Sequence, residues 1–392
     1  MKLKQQPEDF FVEELTDLQG GTVGEFALYR LEKRGWTTPD AGLAIRRRWK
    51  LDARRLSFGG LKDRHAHTIQ YLTIFRGPQR RLTHQGFQVE YLGQVAGPFA
   101  SSAIRANRFR LVLRSLSERD LDTAQTAIAE VRVHGLPNYF DDQRFSSVSS
   151  GTFVAKALVQ GDFERALRLA LAAPYEHDRA LPKQEKAILT RHWGDWQTCL
   201  AKLPRGHTLT LVRHLAGQPD DFRGAIARLR PELRGLYLSA YQSHLWNRML
   251  ARWLREHLRR DQLILLDLRL GKVPAFRDLS AAQHAELATL ELPLPTARGE
   301  FDPADPRTAL MTRILDEEGL SRDELKVKGL REVFFSRGQR AAWCHPEGLQ
   351  ATPAEDDKNE ARQKLTLEFD LPRGCYATLL VKRILTSKPL AA

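Results

Sequence analysis

Cysteine is scarce in this chain, with three residues among 392, at Cys199, Cys344 and Cys375. They are odd in number and far apart, so no disulfide framework or CxxC metal site follows. A reducing cytosol is the simplest compartment, and a cytoplasmic location is expected. Long apolar runs are also missing. None approaches the ~18–20 residues of a membrane span, and the first residues, MKLKQQPEDFF, lack the apolar core of a secretory signal. No GxxxxGKS/T occurs, which argues against a nucleotide-triphosphate motor. Gly20-Gly21-Thr22-Val23-Gly24 lacks the GxGxxG spacing after a strand, so a dinucleotide or S-adenosylmethionine loop has no support. No Gly-x-Ser-x-Gly elbow is present. His65 and His67 could share a strand face, but no third ligand stands at useful spacing, and Cys344-His345 is no better. Neither a metal nor a cofactor is expected.

Positive charge is abundant. Lys plus Arg number 61 against 48 Asp plus Glu, a formal net charge of +13, with a pI of about 9.8. Such an excess favours a polyanionic partner, nucleic acid first and an anionic membrane surface second. The acidic residues are interspersed, so this is not a disordered basic tail. The length suggests two domains of ~150–200 residues each, and the mean hydropathy of −0.43 marks a soluble chain.

The first 150 residues alternate strands and helices. Phe10–Leu15 reads as a strand, and Thr38-Pro39 as an N-cap with Pro at N1 of a helix running through Trp49. Thr68–Phe75 is strand-like. In Arg108–Arg114, Phe109, Leu111 and Leu113 fall on one face and Arg108, Arg110 and Arg114 on the other, predicting one buried and one basic side. Ser117 caps a helix that Gly135 stops. From about 151 to 340 helices dominate, including Phe163–Ala172 and a long one near Leu233–Leu258 with Leu238, Tyr241, Leu245 and Met249 in a stripe. Strands return at the end. Leu365, Leu367, Phe369 and Leu371 alternate inward, a second strand runs from Tyr376 to Leu385, and charge-rich Thr352–Lys364 reads as a surface loop. The pattern predicts one sheet domain interrupted by an insertion.

The most informative segment is FGGLKDRHAHTIQ, Phe58–Gln70. It sets Asp63 between Lys62 and Arg64, after the Gly59-Gly60 pair. A carboxylate between cations, on a turn that glycine opens, suits a group that stays ionised and touches a ligand. Taken alone it equally fits a solvated turn. Four other motifs accompany it. KQQPEDFFVEE, Lys4–Glu14, places Phe10 and Phe11 on opposite strand faces. In Asn107-Arg108-Phe109 the amide can pair with a base edge, and the ring two residues on can stack a base. GLPNYFDDQRFSS, Gly135–Ser147, suits an ordered aromatic loop. LPRGCYATLLVKRIL, Leu371–Leu385, allows close backbone approach at Gly374 and puts Tyr376 at a strand start. Each alone also fits an ordinary strand, turn or hairpin.

Together, in order, these motifs resemble the TruD family of tRNA pseudouridine synthases. PEDFFVEE, YRLEKRGWTT (Tyr29–Thr38), FGGLKDRHAHTIQ, NRF with GLPNYFDDQRF, and LPRGCYAT carry the resemblance, and SAYQSHLWN (Ser239–Asn247) fits the long helix of the family's inserted domain. The resemblance implies an α+β protein. Its pseudouridine synthase-type catalytic domain, a mixed and largely antiparallel sheet, would be split into 1–150 and 341–392 by a mainly helical α/β insertion at 151–340. It implies that Asp63 is the catalytic aspartate and that Phe10, Asn107, Phe109 and Tyr376 contact the target uridine, with Lys4 and Lys62 near the site. It further implies a monomer acting on tRNA, at uridine-13 of the D arm, without cofactor or membrane. The family's glycines around QRF are replaced by Asp141 and Ser146, which puts the conformation of that loop in question.

Pseudouridine formation breaks the N1–C1′ bond, turns the uracil and rejoins it through C5, with no redox change and no external energy source. One carboxylate can serve as nucleophile at C1′, or as a base that forms a glycal-type intermediate. If the Asp63 segment is a turn, Lys62 or Arg64 can face the carboxylate; if it is extended, neither can. Two other readings of the residues are a catalytically inactive structured-RNA-binding protein or RNA chaperone of the same fold, and a cationic protein for another polyanion with an inert GGxKD turn.

Overall fold

The computed structural model describes residues 1–149, 151–175, 178, 180–330 and 333–386. The chain divides into two compact units. One comprises 1–136, 277–279 and 343 onward, and the other 137–276 and 280–342.

The first unit is built on a ten-stranded sheet. Its strands are β1 (Lys2–Leu3), β2 (Phe10–Leu15), β3 (Phe26–Arg34), β4 (Leu56–Phe58), β5 (His67–Phe75), β6 (Leu82–His84), β7 (Phe87–Val95) and β8 (Ala106–Leu116), joined by Glu347–Glu355 and Gln363–Pro372. The order is Glu347–Glu355, Gln363–Pro372, β8, β2, β5, β3, β7, β6, with β1 also on β8 and β4 also on β5. Only β2 with β5 is parallel among these pairs. The C-terminal strand therefore rejoins the N-terminal ones, pairing Leu371 with Asn107 and Phe369 with Phe109.

Register sorts the side chains. Directly paired residues share a face, so Phe10 goes with Leu111, Val12 with Phe109 and Glu14 with Asn107. Val12 with Thr68 and Lys33 with Thr68 carry that face across to β5 and β3. Helix α1 (Thr38–Trp49) covers its β3–β5–β7 part, where Ala41 and Ile45 pack on Ala27, Tyr29, Leu31, Leu72 and Ile74. Helix α2 (Glu118–His134) lies against β8 and Gln363–Pro372.

Four expectations need correction. Thr37, not Thr38, caps α1, its side chain accepting from Asp40 N; this leaves the Thr38 hydroxyl for another task. Arg114 is not on an exposed basic side. It is 4% exposed and donates to Asp9 (2.9 and 3.0 Å), Asp356 (2.9 Å) and Asp357 (2.9 Å), and three carboxylates make its burial affordable where alternation alone would not. Tyr376–Leu385 is not a strand. Ala377–Ile384 is a helix packed on α2, because its apolar residues Ala377, Leu380, Val381 and Ile384 recur at helical spacing. Thr352–Lys364 is only partly a loop, since Thr352–Glu355 pair with Gln363–Thr366.

The second unit is mainly helical, organised around the helix Pro231–His257, with Leu238, Tyr241, Leu245 and Met249 buried and a two-stranded hairpin, Leu263–Leu268 with Gly271–Phe276. The QRF loop belongs here and is ordered. The Asn247 amide accepts from Phe140 N and donates to Phe140 O, both at 2.8 Å. Asp141 occupies the N-cap position of a short 3-10 turn without a side-chain capping bond, and Asp142 accepts from Arg269 N at 2.8 Å.

Candidate active site

Asp63 lies in the loop between β4 and β5, its side chain 36% exposed. Neither glycine before it adopts a left-handed conformation. Gly59 is required for packing instead, since a Cβ there would come within 2.7 Å of Ile104 and 2.9 Å of Phe99. A cation 59 residues away meets the carboxylate. Lys4 Nζ donates to Asp63 Oδ2 at 2.6 Å and stands 3.9 Å above the Phe10 ring centre. Lys4 itself has φ 61, a left-handed conformation that costs a non-glycine residue ~1–3 kcal/mol and is tolerated where the surroundings enforce it.

The two sequence neighbours of Asp63 turn elsewhere. Arg64 Nε donates to Gly35 O at 3.0 Å. Lys62 Nζ lies 2.7 Å from Glu14 Oε1, an ion pair in distance though not aligned as a hydrogen bond, and donates to Asn107 Oδ1 at 3.1 Å. Glu14 is 0% exposed, and its other oxygen accepts from Tyr71 N at 2.9 Å. An ammonium only donates, so the Asn107 oxygen is fixed toward Lys62 and its NH2 is left as a donor for another group.

The aromatic residues cluster beside this. Phe10 meets Phe109 edge to face at 6.3 Å, and Phe109 stacks on Phe369 at 5.4 Å. Phe10 and Phe109 are only 7% and 8% exposed, so Phe109 offers an edge rather than an open face. Tyr376, half-buried, is the N-cap residue of the C-terminal helix. It follows the Asn107–Leu371 rung by five residues, so it leaves the sheet at the Asn107 end.

Two cavities are centred away from Asp63. One of about 600 Å³ is lined mainly by Phe11, His67, Arg108, Arg110 and Asp370, which register assigns to the opposite sheet face, though Phe109 and Phe369 also border it. Another of about 420 Å³ belongs to the helical unit. No group of three metal-ligating side chains occurs among the described residues, and His67 bonds Glu32 at 2.8 Å. No helix among them is long and apolar enough to cross a membrane.

A part-exposed carboxylate on a loop, two lysines, an amide donor and aromatic rings of one sheet face therefore form the candidate site. The model of the family tRNA pseudouridine synthase D (TruD) matches residues 1–384. The chain belongs to the TruD family. It is 28% identical over 394 residues to a Methanococcus maripaludis protein named "Probable tRNA pseudouridine synthase D 1", covering 98% of this chain and 99% of that one. It is 28% identical over 397 residues to the tRNA pseudouridine synthase D of Aquifex aeolicus, covering 99% and 98%. A crystal structure described as that of the "Putative tRNA pseudouridine synthase D (TruD) from Methanosarcina mazei" matches with a TM-score of 0.73 at 25% identity, covering 98% of this chain and 93% of that one. The fold is accordingly the family's α+β architecture, a mixed sheet unit interrupted by a mainly helical α/β unit.

The sequence motifs named Asp63, Lys4, Lys62, Phe10, Asn107 and Phe109, and the structure brings these six together. The motifs missed the layer beneath. Glu14 was read only as part of an acidic strand. Thr38 Oγ1 accepts from Lys62 N at 2.9 Å and donates to Gln70 Oε1 at 2.7 Å, and Lys33 reaches the same loop. The one available signal was a lysine in phase with an apolar row, Ala27, Tyr29, Leu31, Lys33.

Proposed function

We propose that this TruD family member isomerises a uridine of tRNA to pseudouridine, with Asp63 as the reacting carboxylate and uridine-13 of the D arm as the target. The observation that carries this is the part-exposed Asp63 carboxylate held by the Lys4 ammonium at 2.6 Å. One Asp63 oxygen serves as nucleophile at C1′ or as the base that yields a glycal-type intermediate. In either course the N1–C1′ bond breaks, the uracil turns, C5 bonds to C1′, the C5 proton leaves and N1 takes one up. Asn107 donates its NH2 to a uracil carbonyl, the polarity Lys62 imposes on it. Tyr376 and the exposed edge of Phe109 contact the base, and Lys4 and Phe10 hold the carboxylate side.

The unit 137–342 is the family's inserted domain, and the sheet unit, 1–136 with the C-terminal strands, is the catalytic domain. Extruding the base costs a few kcal/mol, and phosphate contacts of the +13 chain supply the affinity, so binding weakens steeply with salt. The protein acts in the cytoplasm as a monomer. Carbodiimide labelling of a tRNA pool treated with the protein tests the reading. A single new labelled position in the D arm is expected; an unmodified pool, with the RNA bound, would replace the enzyme by an RNA-binding protein of the same fold.

A further inference from the structure

We propose that Lys33 is a positioning residue for this reaction: its ammonium clamps the main chain of Lys62 and Asp63 and so sets where the Asp63 carboxylate stands. The proposal rests on Asp63 being the reacting group. Lys33 is 1% exposed and occupies the end of the inward row of β3, where alternation calls for an apolar side chain. Its Nζ donates to Trp36 O at 2.8 Å, Asp63 O at 3.0 Å and Lys62 O at 3.4 Å. Three main-chain acceptors match the three N–H bonds of an ammonium, and no carboxylate is bonded to it among the described residues. A buried lysine is ordinarily kept by an acidic partner; this one is kept by the loop it holds. The same loop is fixed at two further points, by Thr38 Oγ1 on Lys62 N at 2.9 Å and by Gln70 Nε2 on Gly60 O at 3.3 Å. The main chain from Gly60 to Asp63 is therefore pinned, while the carboxylate itself points out to Lys4.

The clamp depends on protonation. Burial drives the Lys33 ammonium down to about 8, with the Asp63 carboxylate pulling the other way and Lys62 adding to the fall. The neighbours on β5 and β7, Thr68, Gln70 and Phe87, carry no titrating group. At the start of α1, Asp40 is engaged by Thr37. Beyond the loop stand Lys4 on Asp63 and Glu14 on Lys62. A neutral amine has two N–H bonds and a lone pair, so it cannot serve three carbonyls, and the loop loosens as pH rises through that value.

Single-turnover rates and KM on tRNA, from neutral to alkaline pH, test this in the wild type, Lys33→Arg and Lys33→Met. The wild type shows a basic limb near pH 8, and Lys33→Arg, which keeps its charge, moves that limb upward. Lys33→Met loses about 100-fold in kcat with KM unchanged, the scale of a ~1 Å misplacement. Wild-type kcat in Lys33→Met overturns the proposal, and so does an unmoved limb in Lys33→Arg, which would assign it to the uridine. Should the variants fail to fold, amide exchange in the wild type decides. Protection at Lys62 and Asp63 drops as pH crosses 8 if the clamp exists and stays level if it does not. An inactive Asp63→Asn beside a fully active Lys33→Met refutes the clamp alone; a fully active Asp63→Asn refutes the functional reading beneath it.

Discussion

The sheet unit and the helical unit bury different kinds of polar group. Among the buried polar residues of the sheet unit are Asp9, Glu14, Lys33, Arg114, Asp356 and Arg383, which are ionisable, and Thr38, Thr68, Gln70 and Thr73, which are not. In the helical unit they are Asn138, Gln242, Ser243, Asn247, Gln262 and Thr296, with Asp141 the ionisable one. Its other charges gather at partly exposed positions, as in Glu318 with Lys156 at 2.7 Å. Buried amides tie helices to loops cheaply, because each finds a neutral main-chain partner. Gln242 Nε2, for instance, donates to Pro295 O at 2.9 Å and Ser336 O at 2.8 Å. Buried charges demand partners of opposite sign or several hydrogen bonds, and are retained where geometry matters more than net stability. In the sheet unit they form a knot that fixes β8 to β2's entry turn, around Arg114, and a layer under Asp63, around Glu14 and Lys33. The difference teaches that the charge-bearing interior belongs to the unit that holds the candidate site.

Removing a member of the Arg114 knot should break that contrast most visibly. Arg114→Met leaves Asp9 and Asp356 buried without their cation, and unfolding free energy should fall by about 3–5 kcal/mol. In the wild type, burial pushes the Asp356 carboxyl up, but hydrogen bonds from Ser115 N, Lys358 N, Asn359 and Arg114 more than offset this and hold it at about 2. Urea titration measures the loss, and a change within error would mean the knot adds nothing. In the helical unit, Asn247→Leu strips both main-chain groups of Phe140 of their partners. The expected loss is smaller, about 2–3 kcal/mol, by the same titration, with the QRF loop losing amide-exchange protection.

The effect that is smallest at neutral pH is a pH dependence. Burial drives the His244 imidazole down to about 4, against the pull of Glu318 and aided by Arg248 and Lys156. Its folded value lies below its unfolded 6.5, so the unfolded chain binds the proton first. Stability from this group is full above 6.5 and is lost as pH falls toward 4. His244→Gln should flatten the stability curve in that window by at most about 3 kcal/mol, and an equally steep curve in the variant would place the loss on carboxylates.

What was legible in the sequence is what local spacing encodes. The strand at Phe10, the alternation of Leu365 to Leu371 and the Ser117-capped helix needed only neighbours to be read. The helix from Ala377 escaped because a short apolar run fits two periods until something packs on it. The site was legible in its members and not in its wiring. Asp63 stands between two cations in sequence, yet it pairs with Lys4, 59 residues away, while Lys62 is taken by Glu14 and Asn107 and Arg64 by Gly35. Such pairings depend on the β2–β5–β3 register, which no single segment specifies. Lys33 has no reading of its own in YRLEKRGW; the packing of the Asp63 loop and the start of α1 over β3 buries it.

Asp63→Asn tests the central claim most directly. The amide keeps the size of the carboxylate and can still accept from Lys4, so the loop and the RNA surface remain. Carbodiimide labelling of treated tRNA should show pseudouridine formation reduced by at least about 1,000-fold, as expected for loss of a reacting group, with tRNA affinity nearly unchanged. Pseudouridine formed at the wild-type rate would contradict the account.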